Sequence, residues 1–248
     1  MNMKKIGCGA TADIYRFENK VVKIYQPKAL HDAYKEFNNL RIINKLGLDV
    51  PNVYSIKIIN DKTKGLEMDY IDGLTLINEN TTPDDFEFVI KTLVHHQRQL
   101  HQIQTSVLPS LSSLLLEKIE ITSVKKNLKK SLKDMLLQSS FIENRVCHMD
   151  FHPFNLILSK EKIYIIDWVD ATSGDPIIDI CRTYLLLSSS SKSLGTLYLT
   201  HFEEKNDILR WLPVLACTRL TEQPDEQELN YLHSILLDFE KNLTRERG

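Results

Sequence analysis

The sequence predicts an α+β protein with a small strand-rich N-terminal part and a larger helical remainder. Three observations carry this. Residues 1–70 hold short apolar runs separated by turn residues, with one helical stretch among them. From Thr82 onward, longer stretches place apolar residues at helical spacing. Between the helical stretches, residues 146–147, 156–158 and 163–166 form short strand-like pieces in polar loops. A chain of 248 residues can bury roughly 70–75% of its unfolded surface, so its core needs no disulfide staples.

Taken in order, residues 4–6, 13–17 and 21–25 read as strands, and Glu18-Asn19-Lys20 joins the last two. Leu30, Ala33, Tyr34, Phe37 and Leu40 place a helix over about residues 28–46, stopped by Gly47. Residues 53–59 and 66–70 form a hairpin around Asp61-Lys62-Thr63-Lys64-Gly65. Thr82-Pro83-Asp84-Asp85 begins a helix that runs to about Ile103. It supplies a capping hydroxyl, a first-turn proline and acids at the positive dipole end. A further helix covers residues 123–138, and helices dominate from Ile177. The expected division is residues 1–71 and 72–248, hinged near residues 70–73.

Composition excludes several classes. With 31 basic and 33 acidic residues, the net charge of −2 rules out a nucleic-acid binder driven by bulk charge. The longest uncharged run, residues 99–116, contains Pro109 and nine polar residues and does not span a bilayer. No apolar signal segment precedes Gly7. Cys8, Cys147, Cys181 and Cys217 have neither zinc-site nor disulfide-framework spacing. The expectation is a soluble cytoplasmic protein, with no nucleic-acid or membrane partner and an oligomeric state left open.

The chemistry concentrates in His148-Met149-Asp150-Phe151-His152-Pro153-Phe154-Asn155, followed twelve residues later by Asp167. Phosphoryl transfer needs a carboxylate to orient an acceptor hydroxyl and take its proton, and hard oxygen ligands for magnesium. Asp150 and Asn155, with four residues between them, match the spacing of a kinase base and its metal-binding asparagine. Asp167 ends the apolar run Ile163-Tyr164-Ile165-Ile166, a rigid mount for a second metal ligand. Alternatively, Asp150 and Asn155 are turn residues and His148 a core histidine. A third reading is a metal-dependent hydrolase. On an extended strand His148, Asp150 and His152 would share one face, with Asp167 and Asp170 completing a site.

Upstream, Gly7-Cys8-Gly9-Ala10-Thr11-Ala12 lies between two strands. Its small residues let backbone amides approach a phosphate, but taken alone the segment reads more readily as a plain hairpin turn. Lys23 lies 14 residues beyond Gly9, flanked by apolar strand residues, and wants a partner. Glu36 supplies one, since it borders the inward stripe of its helix between Ala33 and Leu40.

These segments resemble the aminoglycoside phosphotransferase and choline kinase relatives of the protein kinases, over residues 7–187. Glu36 with Leu40, Gly47-Leu48-Asp49-Val50-Pro51 and Glu67-Met68-Asp69-Tyr70-Ile71-Asp72-Gly73 carry part of the likeness. HMDFHPFN and IIDWVDATSGDPIIDI carry the specific part. The resemblance implies a two-lobed protein-kinase-like fold and a kinase that uses ATP and Mg2+ on a small-molecule hydroxyl. It implies that the Gly7 and Gly9 loop and Lys23 hold the phosphates, and that Glu36 orients Lys23. Asp69 and Ile71 would meet the adenine, Asp150 would be the base, and Asn155 and Asp167 would carry magnesium. Asp179 resembles the acid that braces the catalytic loop, and His148 a loop anchor. A nucleotide-binding protein of the same fold without turnover is the alternative. Ala12 and Trp168-Val169 depart from the pattern, and the nine residues between Ile166 and Pro176 are too few for a regulated peptide-docking loop.

Residues 201–240 hold nine acids and three bases. A negative wall there would favour a cationic acceptor, with Trp168 and Trp211 adding cation–π contacts. The competing reading is a solvated helix face.

Overall fold

The computed structural model describes residues 3–9, 11–60, 63–140 and 144–245. The first part of the chain forms β1 (Lys4–Cys8), β2 (Ala12–Phe17), β3 (Lys20–Tyr25), α1 (Leu30–Lys45), β4 (Val53–Asn60), β5 (Thr63–Asp69) and β6 (Leu74–Thr75). There follow α2 (Phe86–Leu100), α3 (Leu111–Ile121), α4 (Lys126–Leu137), β7 (Arg145–Cys147), β8 (Leu156–Ser159), β9 (Lys162–Ile165) and β10 (Thr172–Gly174). The chain closes with α5 (Pro176–Ser190), α6 (Lys192–Leu199), α7 (Lys205–Leu209), α8 (Leu212–Arg219) and α9 (Glu226–Arg245). It divides into two compact units, residues 1–81 with 153–171 and residues 82–152 with 172–248.

In the first unit, five antiparallel strands lie in the order β1-β2-β3-β5-β4. Lys23 is on the central strand, opposite Ile14 of β2 and Leu66 of β5. The turn expected at residues 18–20 joins β2 to β3, with Phe17 opposite Lys20 and Glu18 at φ 53. Helix α1 turns Ala33, Glu36, Asn39, Leu40 and Ile43 inward, the spacing of one helical face. Gly47 ends it at φ 80, where its amide bonds to the Asn44 carbonyl, the left-handed stop that glycine adopts without steric cost. The expected hairpin forms between β4 and β5; Asp61 and Lys62 of its turn lie outside the described residues. Strands β6, β8 and β9 make a second, three-stranded sheet. Gly73 enters it where a Cβ would lie 2.3 Å from the Leu158 carbonyl oxygen, so no other residue fits without a shift of backbone.

In the second unit, the helix expected from Thr82 starts on a capping box between Thr82 and Asp85 and reaches Leu100, three residues short of Ile103. Its inward stripe is Val89, Ile90, Leu93, Val94 and Gln97. Helix α3 was not expected from the sequence. Ser110 caps it by accepting the Ser113 N–H, and Leu111, Leu115 and Ile119 bury one face at four-residue spacing. The two-stranded ladder of β7 and β10 leads from Cys147 directly into His148. Each fully buried Leu or Ile here contributes roughly 1.5–3 kcal/mol of hydrophobic stabilisation. No helix among the described residues is long and apolar enough to cross a membrane.

Candidate active site

In the first unit, strand alternation sends Lys23 and Tyr25 to the same face of β3. Lys23 is buried, and its Nζ meets Glu36 Oε2 at 2.9 Å and Asp167 Oδ1 at 2.8 Å. Burial alone would lower the Lys23 pKa, but the Asp167 and Glu36 carboxylates more than offset it and raise the value well above the ordinary one. Burial pushes the Glu36 carboxyl up, against the pull of Lys23. The buried Tyr25 hydroxyl donates to Glu36 Oε2 and fixes its rotamer. Neither Tyr25 nor Asn39 was singled out from sequence. Tyr25 was legible two residues after Lys23, and Asn39 one turn after Glu36. Asn39 Nδ2 donates to the Trp168 carbonyl at 2.8 Å, which ties α1 to the chain just beyond Asp167.

Asn155 and Asp167 come together through the hairpin of β8 and β9. Leu156 pairs with Ile165, and the Ile166 N–H donates to the Asn155 carbonyl at 2.9 Å. The next residue, Asp167, stands at φ 62, in the left-handed region that Asp and Asn tolerate best among residues with a side chain. Its carboxylate is 37% exposed beside Lys23. One carboxylate and one amide oxygen are hard donors of the kind Mg2+ takes alongside phosphate and water, so these residues fit magnesium. Gly7 lies opposite Ile14, which lies opposite Lys23. This register puts Gly7 on the Lys23 face, roughly 10 Å away across two strand spacings. Gly9 donates its amide to the Ala12 carbonyl at 2.8 Å and closes a hairpin turn; Ala10 lies outside the described residues. Asp69 ends β5 and accepts from the Asn52 backbone and side chain and from Tyr54. Ile71 lies two residues further on, half-buried.

The second unit holds Asp150. Met149 before it takes φ 65, which ends the strand alternation after β7. The shared face required by a hydrolase site of His148, Asp150 and His152 therefore does not form. No group of three His, Cys, Asp or Glu among the described residues is arranged to hold a metal ion. Pro153 permits extension at His152, but the chain has already turned at Met149. His148 is fully buried and accepts the Asp150 N–H at 3.3 Å. His152 Nε2 lies 3.4 Å from Asp150 Oδ2. Burial would raise the Asp150 pKa, but the His152 hydrogen bond, with Arg182 and His148, holds it well below the usual carboxylate range. Asp150 is thus an anion at neutral pH, able to orient a hydroxyl. Asp179 is fully buried and accepts the Met149 N–H at 2.7 Å. His101 and Gln97 of α2 hold its other oxygen at 2.8 and 3.2 Å.

One expectation about the acceptor fails. Trp168 and Trp211 are buried, Trp168 donating to the Ile165 carbonyl and Trp211 lying under Arg210. They offer no open face to a cation. Of the nine acids of residues 201–240, Glu222 pairs with Lys118, Arg182 and Arg219, and Glu228 with Arg219, whereas Glu203, Glu204, Asp207, Asp225, Glu226 and Asp238 are exposed.

The chain matches the model of the "Phosphotransferase enzyme family" over residues 2–212. It belongs to that family, and by that membership it is a small-molecule phosphotransferase. A LicA homologue from Metamycoplasma hominis is 27% identical over 175 residues, covering 69% of this chain and 66% of that protein's length. An aminoglycoside phosphotransferase, APH(4)-Ia, solved as a ternary complex with AMP-PNP and hygromycin B, superposes with TM-score 0.68 at 11% identity, covering 94% of this chain and 92% of that one. Choline kinase LicA from Streptococcus pneumoniae superposes with TM-score 0.63 at 18% identity, covering 95% and 92%. The fold is thus the protein-kinase-like α+β fold expected from the sequence.

Proposed function

We propose that the chain transfers the γ-phosphoryl group of ATP to the hydroxyl of a small cationic alcohol. The observation that carries this is Lys23 held between Glu36 and Asp167, a cation fixed for phosphate beside a hard-oxygen donor. Lys23 and the Gly7–Gly9 turn bind the phosphates, and Asp69 and Ile71 meet the adenine. Magnesium, when bound by Asn155 and Asp167, supplies positive charge to the phosphate oxygens. Asp150 accepts the hydroxyl proton as the acceptor oxygen bonds to phosphorus and the bond to ADP breaks. In functional terms residues 1–71 form the nucleotide lobe and residues 72–248 the catalytic and acceptor lobe. An ATP analogue bound to APH(4)-Ia supports the nucleotide. The LicA name of the relative and the choline kinase neighbour support a choline-like or amino-alcohol acceptor. The cysteines at 8, 147, 181 and 217 are free thiols, which suits a reducing cytoplasm.

The test is ADP formation with Mg-ATP over a panel of matched cationic and neutral alcohols, at low and high salt. We expect the cationic members to have the higher kcat/KM. A neutral acceptor that wins by a wide margin overturns the acceptor class. ATP binding without turnover on any acceptor overturns the enzyme.

A further inference from the structure

The peptide between Met149 and Asp150 is held at both edges. Its N–H donates to His148 Nδ1 at 3.3 Å. Its carbonyl oxygen accepts from Arg182 Nε at 3.1 Å. A peptide is planar, so these two bonds fix the plane from which the Asp150 side chain departs. The preceding Met149 N–H is held by Asp179, one turn before Arg182 on α5. Two side chains of one helix therefore secure both backbone groups of a residue at φ 65. Arg182 is 3% exposed and has no face to offer a ligand. Its Nη2 donates to Glu222 Oε2 at 2.5 Å. Glu222 is itself anchored by Lys118 of α3 and by Arg219 of α8.

A buried guanidinium that needed only a counter-ion would be satisfied by Glu222. The bond from Nε to a loop carbonyl does something different, since it aims at the peptide of the proposed base. We infer that Arg182 is a positioning residue for phosphoryl transfer: anchored on Glu222, it sets the direction of the Asp150 carboxylate. This rests on Asp150 being the base proposed above.

Arg182→Lys separates the charge from the fork. One ammonium keeps a cation for Glu222 but cannot reproduce both bonds of the guanidinium. We expect kcat to fall on the order of 10²-fold, as for a base misplaced by about 1 Å. ATP affinity and acceptor KM should stay at parent values. Hydrogen exchange should quicken at the Met149 and Asp150 amides while α2 and the rest of α5 stay protected. Glu222→Gln, which keeps Arg182 on a weaker anchor, should show a smaller loss of the same kind. Parent kcat in Arg182→Lys with unchanged local exchange overturns the inference. So does a rate loss that merely tracks melting, with exchange raised throughout the unit. If the parent protein phosphorylates nothing, the proposed function fails. Exchange at residues 149 and 150 still decides whether Arg182 holds the loop.

Discussion

Lys23 and Asp167, 144 residues apart in the chain, meet at 2.8 Å. The contact joins a lysine on the central strand of the first sheet to the residue that ends the hairpin of the second. Glu36 lies on the other side of the same ammonium at 2.9 Å. Both carboxylates hold Lys23 in its charged form, and their proposed roles differ, since Glu36 orients the lysine and Asp167 binds metal.

Asp167→Asn separates the metal role from the backbone. Asparagine accepts φ 62 nearly as well as aspartate, whereas alanine there adds a strain of about 1 kcal/mol or more. Asp167→Asn should therefore spare the backbone, give up one of the two ion pairs on buried Lys23, and lose the magnesium dependence of ATP binding. Calorimetry with ATP, with and without magnesium, reads this directly. An unchanged magnesium dependence would refute the metal assignment.

Asp150→Asn should leave ATP binding nearly unchanged and lower kcat by at least about 10²-fold, because it removes the proton acceptor and keeps the shape. Steady-state kinetics paired with ATP titration checks it. Parent turnover would remove Asp150 from the mechanism.

Cys8 is exposed, whereas Cys147, Cys181 and Cys217 are buried. A thiol reagent should modify one cysteine in the native protein and four after unfolding. Asp13 beside Cys8 raises its thiol pKa, so labelling should be slow near neutrality. Mg-ATP should slow it further if the Gly7–Gly9 turn covers the phosphates. Labelling at equal rates with and without nucleotide would count against that turn.

Glu222 makes an acid-sensitive contribution to stability. Burial would raise its carboxyl, but Arg182, Lys118 and Arg219 pull it from 4.5 down to about 2. A value lowered on folding stabilises fully above the unfolded value and is lost as pH falls through the folded one. The gap corresponds to on the order of 3 kcal/mol. Denaturant titrations of the parent should thus show stability falling between about pH 5 and pH 2, and Glu222→Gln should flatten that limb. Parallel limbs in the two proteins would exclude this origin.

Gly73→Ala should destabilise the first unit by about 1–3 kcal/mol, the usual cost of forcing atoms into a packed site. The clash is with the Leu158 carbonyl oxygen, 2.3 Å from the new Cβ, and backbone cannot swing aside as a side chain can. A shift of the urea midpoint with an unchanged slope is the expected result, and an unmoved midpoint would contradict it.

Much of this protein was determined locally and could be read from the sequence. The turn at Glu18, the stop at Gly47 and the capping box at Thr82 act within a few residues. So does the link from Asn155 to Asp167, since a hairpin brings its own ends together. Helix α3 was not recognised, although Leu111, Leu115 and Ile119 share one face at four-residue spacing. Tertiary structure alone decided which charges meet. The 144-residue span from Lys23 to Asp167 could be proposed only through a resemblance. Arg182 in α5 gave no periodic signal of its bond to Met149. Packing also decided the place of Glu222 and Glu228, in ion pairs, and of the two tryptophans, in the core. The physical reason is range. Periodicity and capping report on neighbours along the chain, whereas an ion pair or a buried ring depends on which distant element arrives opposite it.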